Sequence, residues 1–204
     1  DIFITQLKAL IRASAYGNIL IMIPMVINIS EFKRSLELID DIKKEFKEKG
    51  IDYNKDLQVG IMVETPASVF MADQFIKYVD FFSIGTNDLS QYTLAVDRGN
   101  ENINNLYNNF NPAVLRAIKH VIDESHKAGK WTGMCGQFAS DTEATKLLLG
   151  LGLDEFSASS SKVAEVKDTI LKSSLKEEEE FSNSLLELET VEEIEEKIKN
   201  HNNM

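Results

Sequence analysis

An amide, a carboxylate and a guanidinium follow one apolar run of this sequence. Residues 81–84 are apolar except for one serine; Gly85 comes next, then Asn87 and Asp88, and Arg98 lies further along the same segment. A short apolar run bounded by turn residues is typical of a buried parallel strand, and functional side chains often lie just past its C-terminal end. These three chemical groups together suit an anionic ligand held by a hard metal ion.

Two further predicted strands end in residues that are able to do chemistry. Glu64 follows residues 59–63, and Cys135 follows residues 131–134. Because the C-terminal ends of parallel strands lie on one edge of a sheet, we expect Glu64, Asp88 and Cys135 to converge. Two carboxylates without a histidine suit Mg²⁺, which completes its shell with water and phosphate oxygens. A simpler interpretation stays open, in which Glu64 caps a helix and Asp88 braces a turn.

The thiol of Cys135 has two interpretations. A lone cysteine beside glycine is most often a small buried hydrophobic residue. At a strand end beside a metal-bound anion, a neutral thiol instead fits a proton donor to a developing carbanion. The three histidines, His120, His126 and His201, stand in no motif, and we interpret them as structural or solvated.

Helix-like and strand-like segments alternate along the chain, which predicts an α/β fold with a parallel sheet covered on both faces. The region 85–111 is predicted to be a long functional loop. Helix starts are predicted at Ser30, at Asn111-Pro112 and at a capping box formed by Ser140 and Glu143. The predicted strands are residues 19–23, 59–63, 81–84, 131–134 and 155–156, and the other predicted helices are residues 3–15, 67–77 and 163–171.

Composition limits the classes of function. The net charge of −11 argues against a nucleic-acid surface, and no apolar stretch approaches the length of a membrane span. The single cysteine fits a reducing cytoplasm. Residues 173–204 turn acidic and contain a capping box at Thr190 and Glu193, so we expect two solvated helices there, separate from a domain over residues 1–172. Because the sequence begins abruptly at Asp1, we expect a piece of a longer protein.

Three sequence runs stand out: Val63-Glu64-Thr65-Pro66-Ala67, Asp80 to Tyr92 with Asp97-Arg98-Gly99-Asn100, and Gly133-Met134-Cys135-Gly136. They resemble the phosphoenolpyruvate-binding domain of enzyme I, the phosphoenolpyruvate-protein phosphotransferase of the bacterial sugar phosphotransferase system. The likeness extends in order and spacing from about Thr5 to Leu171. Pyruvate phosphate dikinase and phosphoenolpyruvate synthase share shorter versions of the motifs, and a domain of either enzyme is an alternative interpretation. The continuous runs over residues 92–100 and 129–133 favour enzyme I over both.

The resemblance implies a (β/α)₈ barrel, of which this chain holds about strands four to eight, and Mg²⁺ as the cofactor. Glu64 and Asp88 match metal ligands, and Asn87 and Arg98 match groups that hold the phosphoryl and carboxylate region of phosphoenolpyruvate. Cys135 matches the acid that protonates C3 of the enolate to give pyruvate. The implied partners are phosphoenolpyruvate and pyruvate, the phosphocarrier protein HPr through a missing N-terminal part, and a second copy in a homodimer.

Two departures from the family pattern and two further alternatives accompany this resemblance. The family's first three strands with their arginines, and its phosphohistidine domain, are absent from this sequence, and Gln137 stands where many relatives have glutamate. One alternative is a dimerisation module that is inactive alone. The other is a lyase or aldolase barrel acting on phosphoenolpyruvate or pyruvate, against which the Gly-Thr-Asn-Asp run argues.

Overall fold

The computed structural model describes residues 2–203 of the chain. This part contains the strands and helices given below and two 3₁₀ turns, Asn104–Leu106 and Phe138–Ser140. The strands are β1 (Ile21–Ile23), β2 (Val59–Val63), β3 (Phe81–Gly85), β4 (Trp131–Cys135) and β5 (Glu155–Phe156). The helices are α1 (Ile2–Ala13), α2 (Ile29–Glu48), α3 (Pro66–Phe70), α4 (Ala72–Phe75), α5 (Thr86–Leu94), α6 (Pro112–Lys127), α7 (Thr145–Leu151), α8 (Val163–Lys172), α9 (Leu175–Leu185) and α10 (Val191–Asn202).

The strands form one parallel sheet in the order of the chain, β1-β2-β3-β4-β5, and each connection between neighbouring strands contains at least one helix. This confirms the predicted α/β fold with a parallel sheet. Sequential order with a helix in every connection is the arrangement of a (β/α)₈ barrel wall. Within residues 2–203 the sheet stays open, since β1 and β5 pair on one side only.

The two faces of the sheet differ in composition. One face, which we call the outer face, buries aliphatic and aromatic side chains such as Ile61, Phe82 and Ile84 among the apolar residues of the helices. On the other face, which we call the inner face, the strand register places four residues side by side: Met62, Ser83, Gly133 and Glu155. Burial on the outer face fixes the register, and the register decides which residues lie side by side on the inner face.

The predicted long loop over residues 85–111 is wrong in its first part, where the structure has helix α5. Thr86, Leu89 and Ser90 are all buried, and their spacing of three and four residues gives the segment one inward-facing side. The helix ends at Leu94, and the next residue, Ala95, has a φ of 53° in the left-handed region. Asn87 and Asp88 therefore lie in the first turn of a helix, which fixes their directions.

Three local predictions need correction. Asn28, not Ser30, caps α2, because its side chain accepts a hydrogen bond from the Glu31 N–H. The capping box at Ser140 and Glu143 is absent: the Ser140 hydroxyl accepts a bond from the Ser159 N–H, and the next helix begins at Thr145. The helix predicted over residues 67–77 is divided into α3 and α4 at Met71.

The acidic tail forms the two expected helices, with the capping box at Thr190 and Glu193 confirmed. Their apolar sides are buried in the main hydrophobic core through Leu185, Ile194 and Ile198, so the two helices are not fully solvated as the sequence predicts. Helix α9 approaches α7 so closely that a Cβ on Gly150 would lie 2.0 Å from the Glu178 carbonyl oxygen. The domain boundary between residues 172 and 173 stays a prediction.

Candidate active site

Glu64 lies at the C-terminal end of β2 and is only 3% exposed. Its Oε1 accepts a hydrogen bond of 2.7 Å from the backbone N–H of Met25, which follows β1. Burial raises the pKa of the Glu64 carboxyl, the Met25 bond lowers it, and the negative charge of Asp88 raises it again. A buried carboxylate beside a second carboxylate is an unfavourable arrangement unless a cation joins them.

Asp88 contacts Glu64 from the first turn of α5, and their side chains are within hydrogen-bonding reach of each other. Gly85 makes this approach possible: a Cβ there would lie 2.8 Å from Oε2 of Glu64 and 3.0 Å from its Cβ. Any other residue at position 85 would displace the Glu64 carboxylate. The two acidic residues named from the sequence are therefore brought together at one edge of the sheet.

Asn87 is held by the neighbouring strand connection. Its Oδ1 accepts a bond of 3.3 Å from the Gln137 N–H, and the Thr86 hydroxyl donates to the Cys135 carbonyl at 3.1 Å. Between them lies Gly136, where φ is 95° and a Cβ would come within 2.7 Å of the Thr86 Oγ1. Glycine is thus required here both for its backbone conformation and for the close contact.

Cys135 is the last residue of β4 and is half-buried. Burial raises the pKa of its thiol, and the negative charges of Glu64 and Glu155 raise it further, while the Ser83 hydroxyl lowers it. The net effect favours the neutral thiol. This protonation state is that of a proton donor and not that of a nucleophile.

Arg98 is exposed on the segment that follows α5, and its backbone N–H donates to the Gln91 side chain at 3.3 Å. Its guanidinium lies near the Tyr107 hydroxyl. Burial raises the pKa of Tyr107, whereas a hydrogen bond with Ser90 and the charge of Arg98 lower it. The Tyr107 hydroxyl also donates to the backbone carbonyl of Asn87 at 3.3 Å.

Tyr107 is a site residue that the sequence patterns did not indicate. It donates a hydrogen bond to the Asn87 carbonyl, and the charges of Asp88 and Arg98 act on its hydroxyl, although it stands in a segment with no motif. A lone tyrosine gives no sequence signal for such a role, because its partners are supplied by the folding of residues 95–111 back over α5. Two histidines have structural partners, as interpreted: His126 pairs with Asp154 at 2.8 Å, and His201 pairs with Glu178 at 2.6 Å.

The carboxylate pair fits Mg²⁺ better than a metal that needs several protein ligands. Within residues 2–203 no group of three or more histidine, cysteine, aspartate or glutamate side chains is placed to hold a metal ion. Mg²⁺ usually takes one or two carboxylates and fills its remaining positions with water and phosphate oxygens. A site of two adjacent carboxylates at an open strand edge meets that requirement.

The chain thus has a parallel βα-repeat sheet, the arrangement of one wall of a (β/α)₈ barrel, with two acidic side chains and a thiol at its C-terminal edge. The chain belongs to the family described as PEP-utilising enzyme, PEP-binding domain, whose model matches residues 1–175.

Curated relatives agree with this family. The phosphoenolpyruvate-protein phosphotransferase of Listeria monocytogenes is 49% identical over 194 residues, which is 95% of this chain and 34% of that protein. The enzyme of the same name from Bacillus subtilis is 50% identical over the same length and the same shares. The one from Staphylococcus aureus is 50% identical over 201 residues, covering 98% of this chain and 35% of that protein. The chain thus spans about a third of the length of these relatives.

A solved structure supports the fold alone. A citrate lyase from Burkholderia xenovorans LB400 superposes with a TM-score of 0.62 at 15% sequence identity, covering 90% of this chain and 58% of that one. Separately, no helix within residues 2–203 is long and apolar enough to cross a bilayer.

Proposed function

We propose that this chain is the Mg²⁺-dependent, phosphoenolpyruvate-binding domain of a phosphotransferase. The whole enzyme would transfer the phosphoryl group of phosphoenolpyruvate to a histidine outside this chain and release pyruvate, which is the first step of sugar uptake. The contact between Glu64 and Asp88, with Asn87 and Cys135 beside it, is the observation on which this proposal rests. Family membership supports the substrate class.

Glu64 and Asp88 are the residues that would hold the metal. The Met25 N–H occupies one oxygen of Glu64, which leaves Oε2 on the side of Gly85 and Asp88 for a cation. Bound there, Mg²⁺ supplies charge stabilisation for phosphoryl and enolate oxygens. The pair's electrostatic repulsion in the free chain supports this assignment, since a cation would relieve it.

Asn87 and Arg98 are proposed to hold the phosphoryl and carboxylate region of the substrate. An amide nitrogen donates one hydrogen bond, and a guanidinium presents a planar set of donors that matches two oxygens of an oxyanion. Asn87 is preorganised, because its Oδ1 is fixed by the Gln137 N–H and its Nδ2 is left to donate. That bond uses the backbone of Gln137, so a glutamine or a glutamate at this position would keep it.

Cys135 is proposed to protonate C3 of the enolate that remains after phosphoryl transfer. The S–H bond breaks, a C–H bond forms at C3, and the enolate electron pair becomes that C–H bond as the ketone of pyruvate forms. The raised thiol pKa keeps the proton available at neutral pH. Its position at the end of β4, in register with Gly85 beside the carboxylate pair, supports this role.

The proposed partners are the phosphocarrier protein HPr, through the rest of the enzyme, and a second copy of the chain, in the cytoplasm. An apolar groove of about 500 Å³ between α3, α5 and α6 supports a protein contact, because Phe70 at its rim is 79% exposed. Exposed aromatic side chains beside apolar grooves are typical of interfaces.

The test uses the full-length polypeptide that contains this chain, assayed for pyruvate release from phosphoenolpyruvate with HPr and Mg²⁺ present. We expect Asp88→Asn to reduce turnover at least about 100-fold, because it removes one metal ligand and half of the charge of the pair. Asp40→Asn, a change on an exposed position of α2, is the matched control and should leave turnover unchanged. Normal turnover in Asp88→Asn would refute the proposed metal site.

A further inference from the structure

Glu155 has no part in the function proposed so far, yet its carboxyl group reaches across the inner face. The residue lies on β5 in register with Gly133 of β4. A Cβ built on Gly133 would lie only 2.2 Å from Oε2 of Glu155. The carboxyl group therefore occupies the space that a side chain at position 133 would fill, and it points along the sheet toward β3 and β4.

This placement brings Glu155 close to the thiol. Ser83 is paired with Gly133 on its other side, so Ser83 and Glu155 flank the same glycine. Cys135 lies two residues beyond Gly133 on the same strand, about 7 Å further along and on the same face. The Ser83 hydroxyl acts on the thiol as a hydrogen-bond partner, and the charge of Glu155 acts on it electrostatically.

The surroundings of Glu155 suit a group that gains and loses protons. The residue as a whole is exposed, but its carboxyl lies against the sheet, and this loss of hydration raises its pKa. The titratable groups that face the thiol from neighbouring strands are Glu64 on β2 and Glu155 on β5. The carboxylate of Asp154, the residue before Glu155, does not take part, because it accepts a hydrogen bond from the Thr132 N–H and pairs with His126.

We propose that Glu155 is the proton-relay residue that returns Cys135 to its neutral state after each turnover. This inference rests on the proposed function, in which the thiol gives its proton to C3. Once the thiolate has formed, the Glu155 carboxylate takes a proton from water and passes it on through the Ser83 hydroxyl, so that an S–H bond forms as the carboxyl O–H bond breaks. The Glu155 carboxylate is thereby restored, and hydroxide is left to the solvent. Glycine at position 133 is what allows the carboxyl group to reach this position.

The first experiment measures the ionisation of the Cys135 thiol in this chain alone. Since Cys135 is the single cysteine, alkylation by iodoacetamide reports its thiolate at each pH. Glu155→Gln removes a negative charge that disfavours the thiolate, so we expect alkylation near neutral pH to be about threefold faster, with the pH profile displaced to lower pH. Glu165→Gln, on exposed helix α8, is the matched control and should behave like the unchanged chain. An unchanged profile in Glu155→Gln would overturn the proposal.

The second experiment separates this inference from the proposed function. The full-length polypeptide, with Mg²⁺ and pyruvate in D₂O, should exchange the methyl protons of pyruvate, and proton NMR follows that exchange. We expect Glu155→Gln to slow the exchange about 10-fold and to alter its pH dependence. Loss of exchange in Cys135→Ala with normal exchange in Glu155→Gln would refute the relay alone. Normal exchange in Cys135→Ala would refute the proposed role of the thiol.

Discussion

Glu64 accepts a 2.7 Å hydrogen bond from the backbone N–H of Met25, across 39 residues of sequence. Met25 adopts φ of 52°, a left-handed conformation that costs a non-glycine residue about 1–2 kcal/mol. The bond joins the ends of β1 and β2 and fixes one oxygen of the buried carboxylate. The other oxygen is thereby directed toward Gly85 and Asp88.

Glu64→Gln should remove most of the stabilisation of the chain by Mg²⁺. A ligand present at 100 times its Kd stabilises the folded state by about 2.7 kcal/mol, and the variant should lose most of this effect. Thermal unfolding with and without MgCl₂ measures it. Glu37→Gln, on an exposed position of α2, is the control; equal Mg²⁺ stabilisation of the Glu64→Gln variant and the control would contradict the metal assignment.

The same substitution should change the pH dependence of stability without metal. Because the folded pKa of Glu64 is raised, its contribution is most favourable below the unfolded pKa and is lost as pH rises through the folded pKa. Glu64→Gln removes this loss, so the variant should gain stability relative to the unchanged chain between pH 5 and pH 8. Chemical unfolding at these two pH values measures the free energy of unfolding of both chains. A loss of stability of the variant relative to the unchanged chain from pH 5 to pH 8 would contradict the prediction.

Cys135→Ala in the full-length polypeptide should abolish pyruvate formation and leave phosphoenolpyruvate affinity within about twofold. A proton donor acts in the transition state and adds little to ground-state binding. Pyruvate release and calorimetric titration of phosphoenolpyruvate with Mg²⁺ measure the two quantities separately. Near-normal pyruvate release would assign Cys135 to packing alone.

Tyr107→Phe should weaken substrate binding more than it slows turnover. The hydroxyl donates to the Asn87 backbone carbonyl and is influenced by the charge of Arg98, so its loss loosens the first turn of α5, which carries Asn87. We expect KM for phosphoenolpyruvate to rise about 10-fold in the full-length polypeptide, with a loss of stability of about 1 kcal/mol. Tyr16→Phe, at a residue that is 85% exposed, is the control. An unchanged KM would remove Tyr107 from the site.

The chain by itself should transfer no phosphoryl group and should bind phosphoenolpyruvate weakly or not at all. Asn87 and Cys135 are only half-buried and Arg98 is exposed, so water weakens their electrostatic contacts with a bound anion. None of its histidines is placed as an acceptor, since His126 and His201 are paired with Asp154 and Glu178, and His120 lines the apolar groove of α6. Incubation with radiolabelled phosphoenolpyruvate checks this; stable label on any of the three would show that the acceptor had been misplaced.

His201→Ala should destabilise the chain by about 3 kcal/mol. It leaves Glu178, whose side chain is 5% exposed, without its partner, and it removes a ring stacked on Phe181 at 3.7 Å. Urea unfolding measures the loss, with His120→Ala as the control. Adding Glu178→Gln to the His201→Ala chain should recover part of the lost stability. If His201→Ala causes no loss and the double variant no recovery, the pair contributes nothing to stability.

Sequence alone determined the strands, their parallel arrangement and the approach of Glu64, Asp88 and Cys135. Apolar runs and turn residues are local signals, and the geometry of parallel sheets places all strand ends on one edge. Helix α5 was missed because Gly-Thr-Asn-Asp reads locally as a turn; the burial of Leu89 and Ser90 against the rest of the fold outweighs that preference.

Only the tertiary structure decided which side chains support the site. The Met25 bond to Glu64, the Tyr107 contact with Asn87 and the position of Glu155 over Gly133 each join residues 20 or more positions apart. The position of the tail was also decided by the tertiary structure. Its acidic sequence predicts solvated helices, but its spaced apolar residues pack into the core and α9 packs against α7. Contacts of this kind depend on sheet register and helix packing, which no local pattern encodes.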